Sequence, residues 1–218
     1  MEVSVFKRRE TSDKLISASL YNVIIGLTLL WGFAVNGWMV ANISIESIRH
    51  IDPIIFYIGY FASCFFGVFL FSKSTSPIVS FVGYNFVVVP FGLIINIVVS
   101  QYNPDIVYEA IRVTGLVTFV MMLLGTMYPA FFNKIIGGLT IALLGVIVVE
   151  LIEIFVFNTH HSLLDWLVAI IFCGYIGYDW ARANAIPKTY DNAVDSAAAL
   201  YMDIINLFLR VLRILGSK

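Results

Sequence analysis

Five carboxylates interrupt stretches that are otherwise apolar enough to cross a bilayer: Glu109, Glu150, Glu153, Asp179 and Asp203. A charged carboxylate at the centre of a bilayer costs about 3 kcal/mol or more, so such residues face a bundle interior or a watery path. Asp179 closes one apolar stretch, in Gly174-Tyr-Ile-Gly-Tyr178-Asp179, and Asp203 lies within the next. A short linker joins the two stretches, which makes them antiparallel neighbours with both acids in the same half of the membrane. Two close carboxylates in a low dielectric cannot both ionise cheaply, so they share a proton and titrate as a coupled pair. Deprotonated, the pair offers hard oxygen ligands to Ca²⁺. The chemistry on offer is proton sensing and cation binding at Asp179 and Asp203.

The stretch bearing Asp203 has a polar stripe. Ser196, Ala199, Asp203, Asn206 and Arg210 recur in steps of three and four, which places them on one helix face. That face must meet protein or water rather than lipid, which puts this helix at the centre of a bundle. A second polar group sits toward the other membrane face. Glu109 and Arg112 are three apart, a spacing that permits a local ion pair. Glu150 and Glu153 are also three apart, and Asp165 follows shortly after as an interfacial charge. Together they predict an acidic mouth that concentrates cations. His160 and His161 are adjacent in a loop and lack a metal-ligand spacing, so bound Ca²⁺ is the one ion expected and no resident cofactor is.

The elements that carry these residues follow from composition. The chain is 60% hydrophobic and 12% charged, against roughly 45–50% and 25% for soluble domains. Its mean hydropathy is +0.92. A spanning helix needs about 20 predominantly apolar residues. That rule predicts an all-α, polytopic bundle of seven transmembrane helices near 20–42, 53–72, 77–99, 106–127, 134–157, 162–181 and 194–215. These runs lack the alternation of a β-barrel. Residues 1–19 form a polar N-terminal tail and 20–218 the membrane domain. The net charge of −1 offers nucleic acid no basic face. Cys64 and Cys173 both fall in apolar runs, so no disulfide framework is expected. Lys7, Arg8, Arg9, Lys14, Lys73, Lys134, Arg182 and Lys188 collect on one side, which the positive-inside rule makes cytoplasmic together with the N-terminus. A full crossing by 194–215 leaves Arg210, Arg213 and Lys218 toward the opposite side.

No phosphate loop, His-Glu-x-x-His or nucleophile elbow occurs, so an enzyme is not expected. Gly26, Gly32, Gly37 and Gly137-Gly138 are read as sites of close helix packing.

Three segments resemble the Bax inhibitor-1 family of membrane proteins, including its bacterial members. They are Leu200-Tyr-Met-Asp203-Ile-Ile-Asn-Leu-Phe-Leu-Arg-Val-Leu-Arg-Ile, Tyr178-Asp179, and Glu109-Ala-Ile-Arg-Val-Thr114 followed by Leu124-Gly125-Thr126. The resemblance implies seven helices around a central last one, a di-aspartyl pH sensor at Asp179 and Asp203, and a pH-sensitive Ca²⁺ leak across a bacterial plasma membrane. It also implies a glutamate and an arginine near the second helix, the arginine latching the aspartates. Here Pro53 to Phe71 carries no charge and only Lys73 follows, which leaves Arg210, Lys73 or water to hold the pair. Membrane lipid, calcium ions and protons are then the partners. The competing reading is a regulatory protein that modulates a membrane-anchored AAA protease through its N-terminal tail, without a conducting pore. An intramembrane hydrolase built on the aspartates lacks any substrate cue.

Overall fold

The computed structural model describes residues 14–157 and 162–217. Within them the chain is all-α: α1 (Ala18–Asn42), a short α2 (Ile45–Arg49), α3 (Pro53–Lys73), α4 (Pro77–Val99), α5 (Pro104–Met127), α6 (Pro129–Ile152), α7 (Ser162–Ala185) and α8 (Tyr190–Gly216). A π-helical turn at Glu153–Phe157 continues α6. The tail expected at 1–19 falls mostly outside the described residues, as do His160 and His161.

Local chemistry sets the helix ends. Pro53, Pro77, Pro104 and Pro129 each open a helix at its first turn, where a missing N–H costs nothing and the fixed φ suits the helix. Asp52 caps α3, its Oδ1 accepting from the backbone N–H groups of Ile54 (2.9 Å) and Ile55 (3.2 Å). Thr189 caps α8 by accepting from Asn192 N at 3.1 Å. These signals move boundaries that counting apolar residues had misplaced. The fifth long helix begins at Pro129 rather than 134, and the last begins at Tyr190 rather than 194. The longest predicted loop therefore shrinks to 186–189, and the five-residue α2 adds a turn of helix where only a loop was expected.

Six helices, α1 and α3 to α7, are long and apolar enough to cross a membrane. The seventh long helix, α8, has the length, at 27 residues, but also holds Asp191, Asp195, Asp203, Arg210 and Arg213. Seven spans of the ordinary kind is thus one more than the described residues show. The physical resolution for α8 is burial: it packs against α1, α4, α5 and α7, and Leu200, Tyr201, Leu207 and Leu212 are all but inaccessible. The periphery is the reverse. Phe61, Phe65 and Phe69 on α3 and Ile141, Leu144 and Ile147 on α6 are exposed, as helices facing lipid require.

Close helix crossings occur at glycines, though mostly not those singled out above. A Cβ on Gly67 would stand 2.5 Å from the Gly83 carbonyl oxygen, and one on Gly83 2.8 Å from that of Gly67. This pair locks α3 to α4. A Cβ on Gly125 of α5 would collide with the Gly177 backbone of α7. Gly32 is tightly packed, against Tyr84 and Tyr201, but Gly26, Gly37, Gly137 and Gly138 meet nothing within 4 Å. Close packing explains Gly32 alone of that group, because the others face lipid or open space.

Candidate functional site

The small residues Ala193, Ala197 and Ala198 are buried along the first half of α8, and they let neighbouring helices approach its axis. On α7 the buried Gly174 and Gly177 face α6 instead, where a Cβ would meet Leu139 and Phe132. Where α7 packs against α8, the carboxyl groups of Asp179 and Asp203 stand in side-chain hydrogen-bond contact. Asp203 is 7% exposed and Asp179 is half-buried. A hydrogen bond between two carboxyl groups needs a proton on one of them, since an ionised carboxylate only accepts. Asp203 lies 13 residues into α8, roughly 20 Å along it, near the middle of the helix. The cation beside the pair is Arg182, one turn beyond Asp179 on α7. It was missed in the sequence because it counted only as an inner-loop charge, although its i, i+3 spacing from Asp179 was legible.

Polar contacts flank the pair on both sides. Toward the start of α8, Ser80 Oγ donates to Asp191 Oδ1 at 2.6 Å, Tyr21 Oη and Ser196 Oγ are 2.9 Å apart, and Tyr21 Oη donates to the Asn192 carbonyl at 3.2 Å. Beside Asp203, Tyr201 Oη donates to Asn36 Oδ1 at 2.5 Å, and Asn36 Nδ2 donates to the Val88 carbonyl at 3.0 Å. Tyr84 Oη donates to the Thr28 carbonyl at 3.1 Å. All of these side chains are buried, as buried polar groups with satisfied partners can be. Isolated tyrosines and asparagines in apolar runs gave no spacing signal that could have paired them.

Toward the far end of α8, Arg210 makes a forked pair with Glu150 of α6, one arm being Nη2 to Oε2 at 3.0 Å. The same guanidinium donates to Asp165 Oδ1 of α7 at 2.9 Å, and Arg213 stands 3.6 Å from that oxygen. Asp165 is 3% exposed, so it is a buried partner rather than an interfacial charge. Arg210 therefore ties α8 to α6 and α7, away from the aspartate pair, and Lys73 is exposed at the end of α3. Among the other residues of the predicted acidic mouth, Glu109 and Arg112 are both exposed on α5 with no ion pair between them, and Glu153 is half-buried in the π turn. Asn206 donates to the Met202 carbonyl of its own helix at 2.8 Å. The predicted stripe thus splits: Ser196 serves α1, Asp203 serves α7, and Arg210 serves α6 and α7.

The chemistry the centre can do is limited and specific. Among the described residues no three His, Cys, Asp or Glu side chains gather as a metal cluster. Ca²⁺ takes six to eight oxygen ligands, and two carboxylates supply at most four. Such a pair suits a cation in passage better than one in storage.

Residues 14–218 match the protein family described as Inhibitor of apoptosis-promoting Bax1. The chain is 28% identical over 169 residues to an uncharacterized protein of Helicobacter pylori, covering 74% of this chain and 70% of the relative. It is 27% identical over 134 residues to an uncharacterized membrane protein of Streptococcus pyogenes, 58% of each chain. A shorter stretch of 52 residues is 54% identical to Protein LIFEGUARD 3 of Arabidopsis thaliana, 23% of this chain and 20% of the relative. Six apolar helices and relatives described as membrane proteins make this an integral membrane protein.

Proposed function

We propose, from the premise that the chain belongs to the Bax inhibitor-1 family, that it forms a pH-sensitive leak for Ca²⁺ with Asp179 and Asp203 as proton and cation site. The observation that carries this reading is the contact of two carboxyl groups on α7 and α8, inside a bundle whose outer helices face lipid. With a proton between them, the carboxyls join α7 to α8 and close the path between these helices. When that proton leaves, two like charges face each other, the contact is lost, and their oxygens become available to a divalent cation. Arg182 takes the place of the family's second-helix arginine, balancing the ionised Asp179 from one helical turn away. The Glu150–Arg210–Asp165 cluster holds the far end of α8 in place, so that the opening is confined to the pair. The N-terminus lies in the cytoplasm, in keeping with Lys14, Lys73, Lys134, Arg182 and Lys188 at one end of the bundle.

Purified protein in liposomes, with no other protein present, tests this. External Ca²⁺ should enter wild-type vesicles faster than empty ones, and the rate should change with pH across the neutral range. Flux indistinguishable from empty vesicles at every pH contradicts the leak, and the regulatory role through the N-terminal tail then replaces it.

A further inference from the structure

Between α1 and α5 the bundle is open. α1 packs on α4 and α8, and α5 on α7 and α8, without a substantial contact between α1 and α5 themselves. The gap is a cleft of about 810 Å³ floored by Ile204, Ile205 and Phe208 of α8. This volume lies within the range of about 300–1,000 Å³ typical of small-molecule sites. Its walls are almost wholly apolar. On α5 the cleft runs from Pro104 to Gly115, a rise of about 16 Å, which is close to half of the ~30 Å hydrocarbon core. Ser100, Tyr102 and Tyr108 border its interfacial end, and its deep end is reached at Phe33 and Asn36 of α1.

We infer that this cleft holds one acyl chain of an anionic phospholipid from the leaflet in which α5 begins. Length, polarity and direction all fit: a mouth at headgroup depth with tyrosines at it, apolar walls, and an end at mid-bilayer. A protein helix, about 10–12 Å across with its side chains, would be wider than one chain and would not stop half-way. The charge is supplied by Arg112. It is exposed on α5 with no ion pair to the described residues, and it lies three and four positions from the lining residues Gly115 and Tyr108. It therefore flanks the cleft wall, deeper than the mouth and beside it on the same helix. An unpaired arginine about 12 Å into a spanning helix extends its stem along apolar surface and its guanidinium toward the interface, where a lipid phosphate offers a forked partner. Seated this way, the chain lies against Ile204 and Ile205, the residues that follow Asp203.

Two glycines make the inference testable without disturbing the fold. Gly37 and Gly115 line opposite walls, and a Cβ at either meets nothing within 4 Å, so a larger side chain fills the cleft and not the core. The protein would be reconstituted in vesicles of equal phosphatidylglycerol and phosphatidylcholine, extracted in mild detergent and weighed by native mass spectrometry. Wild type should retain one phospholipid, mostly phosphatidylglycerol. Gly37→Leu and Gly115→Leu should lose it, while Arg112→Gln keeps a phospholipid but loses the preference for phosphatidylglycerol. No retained lipid in wild type, or retention unchanged in both glycine variants, overturns the site. An unaltered preference in Arg112→Gln overturns the role given to the arginine.

Discussion

At the scale of the residue, the two clusters along α8 differ in what they do. Asp203 was legible in the sequence because a lone carboxylate in an apolar helix has few harmless explanations, and its pairing with Asp179 followed from the short turn between their helices. The partners of Arg210 were not legible. Glu150 and Asp165 lie 60 and 45 residues away in the chain, and only the packed bundle brings their oxygens onto one guanidinium. Arg210→Met should leave Glu150 and Asp165 partly buried without their main cation, at a cost of about 3 kcal/mol, as for other buried pairs broken on one side. Unfolding in detergent checks this. Glu109→Gln, at an exposed site, should stay within about 0.5 kcal/mol of wild type. Equal stability of the two variants would mean that the Arg210 cluster contributes nothing to holding α8.

At the scale of the element, apolar length identified the six lipid-facing helices, and it failed at their ends because prolines and caps, not hydropathy, fix where a helix starts. It also failed to distinguish glycines that pack from those that do not, since spacing alone cannot say which face a glycine presents. Gly125→Ala should wedge α5 from the Gly177 backbone, with overpacking typically worth about 1–3 kcal/mol. Gly137→Ala, in open surroundings, should be neutral or gain up to about 1 kcal/mol from helix propensity. Thermal unfolding of both variants decides the matter; a harmless Gly125→Ala would contradict the crossing. The segment Leu124-Gly125-Thr126 marks this same crossing, because Trp180 Nε1 of α7 donates to Thr126 Oγ1 at 2.8 Å.

At the scale of the whole molecule, α8 is too charged to cross lipid alone and packs against four other helices, and we propose that it crosses inside their shell. Single cysteines at Lys188→Cys and Ser217→Cys, placed in a cysteine-free background and probed with a membrane-impermeant reagent, should label from opposite sides, with Lys188→Cys cytoplasmic. Labelling of both from one side would mean that α8 re-enters and does not cross. The central claim is that the carboxyl contact between α7 and α8 governs a cation path. Its most direct test compares the pH dependence of Ca²⁺ flux through wild type and Asp203→Asn in protein-only liposomes. One titrating group fewer should make the flux–pH curve shallower and displace its midpoint, beyond any change in overall rate. A variant curve that superimposes on that of wild type, after scaling for rate, would contradict the claim.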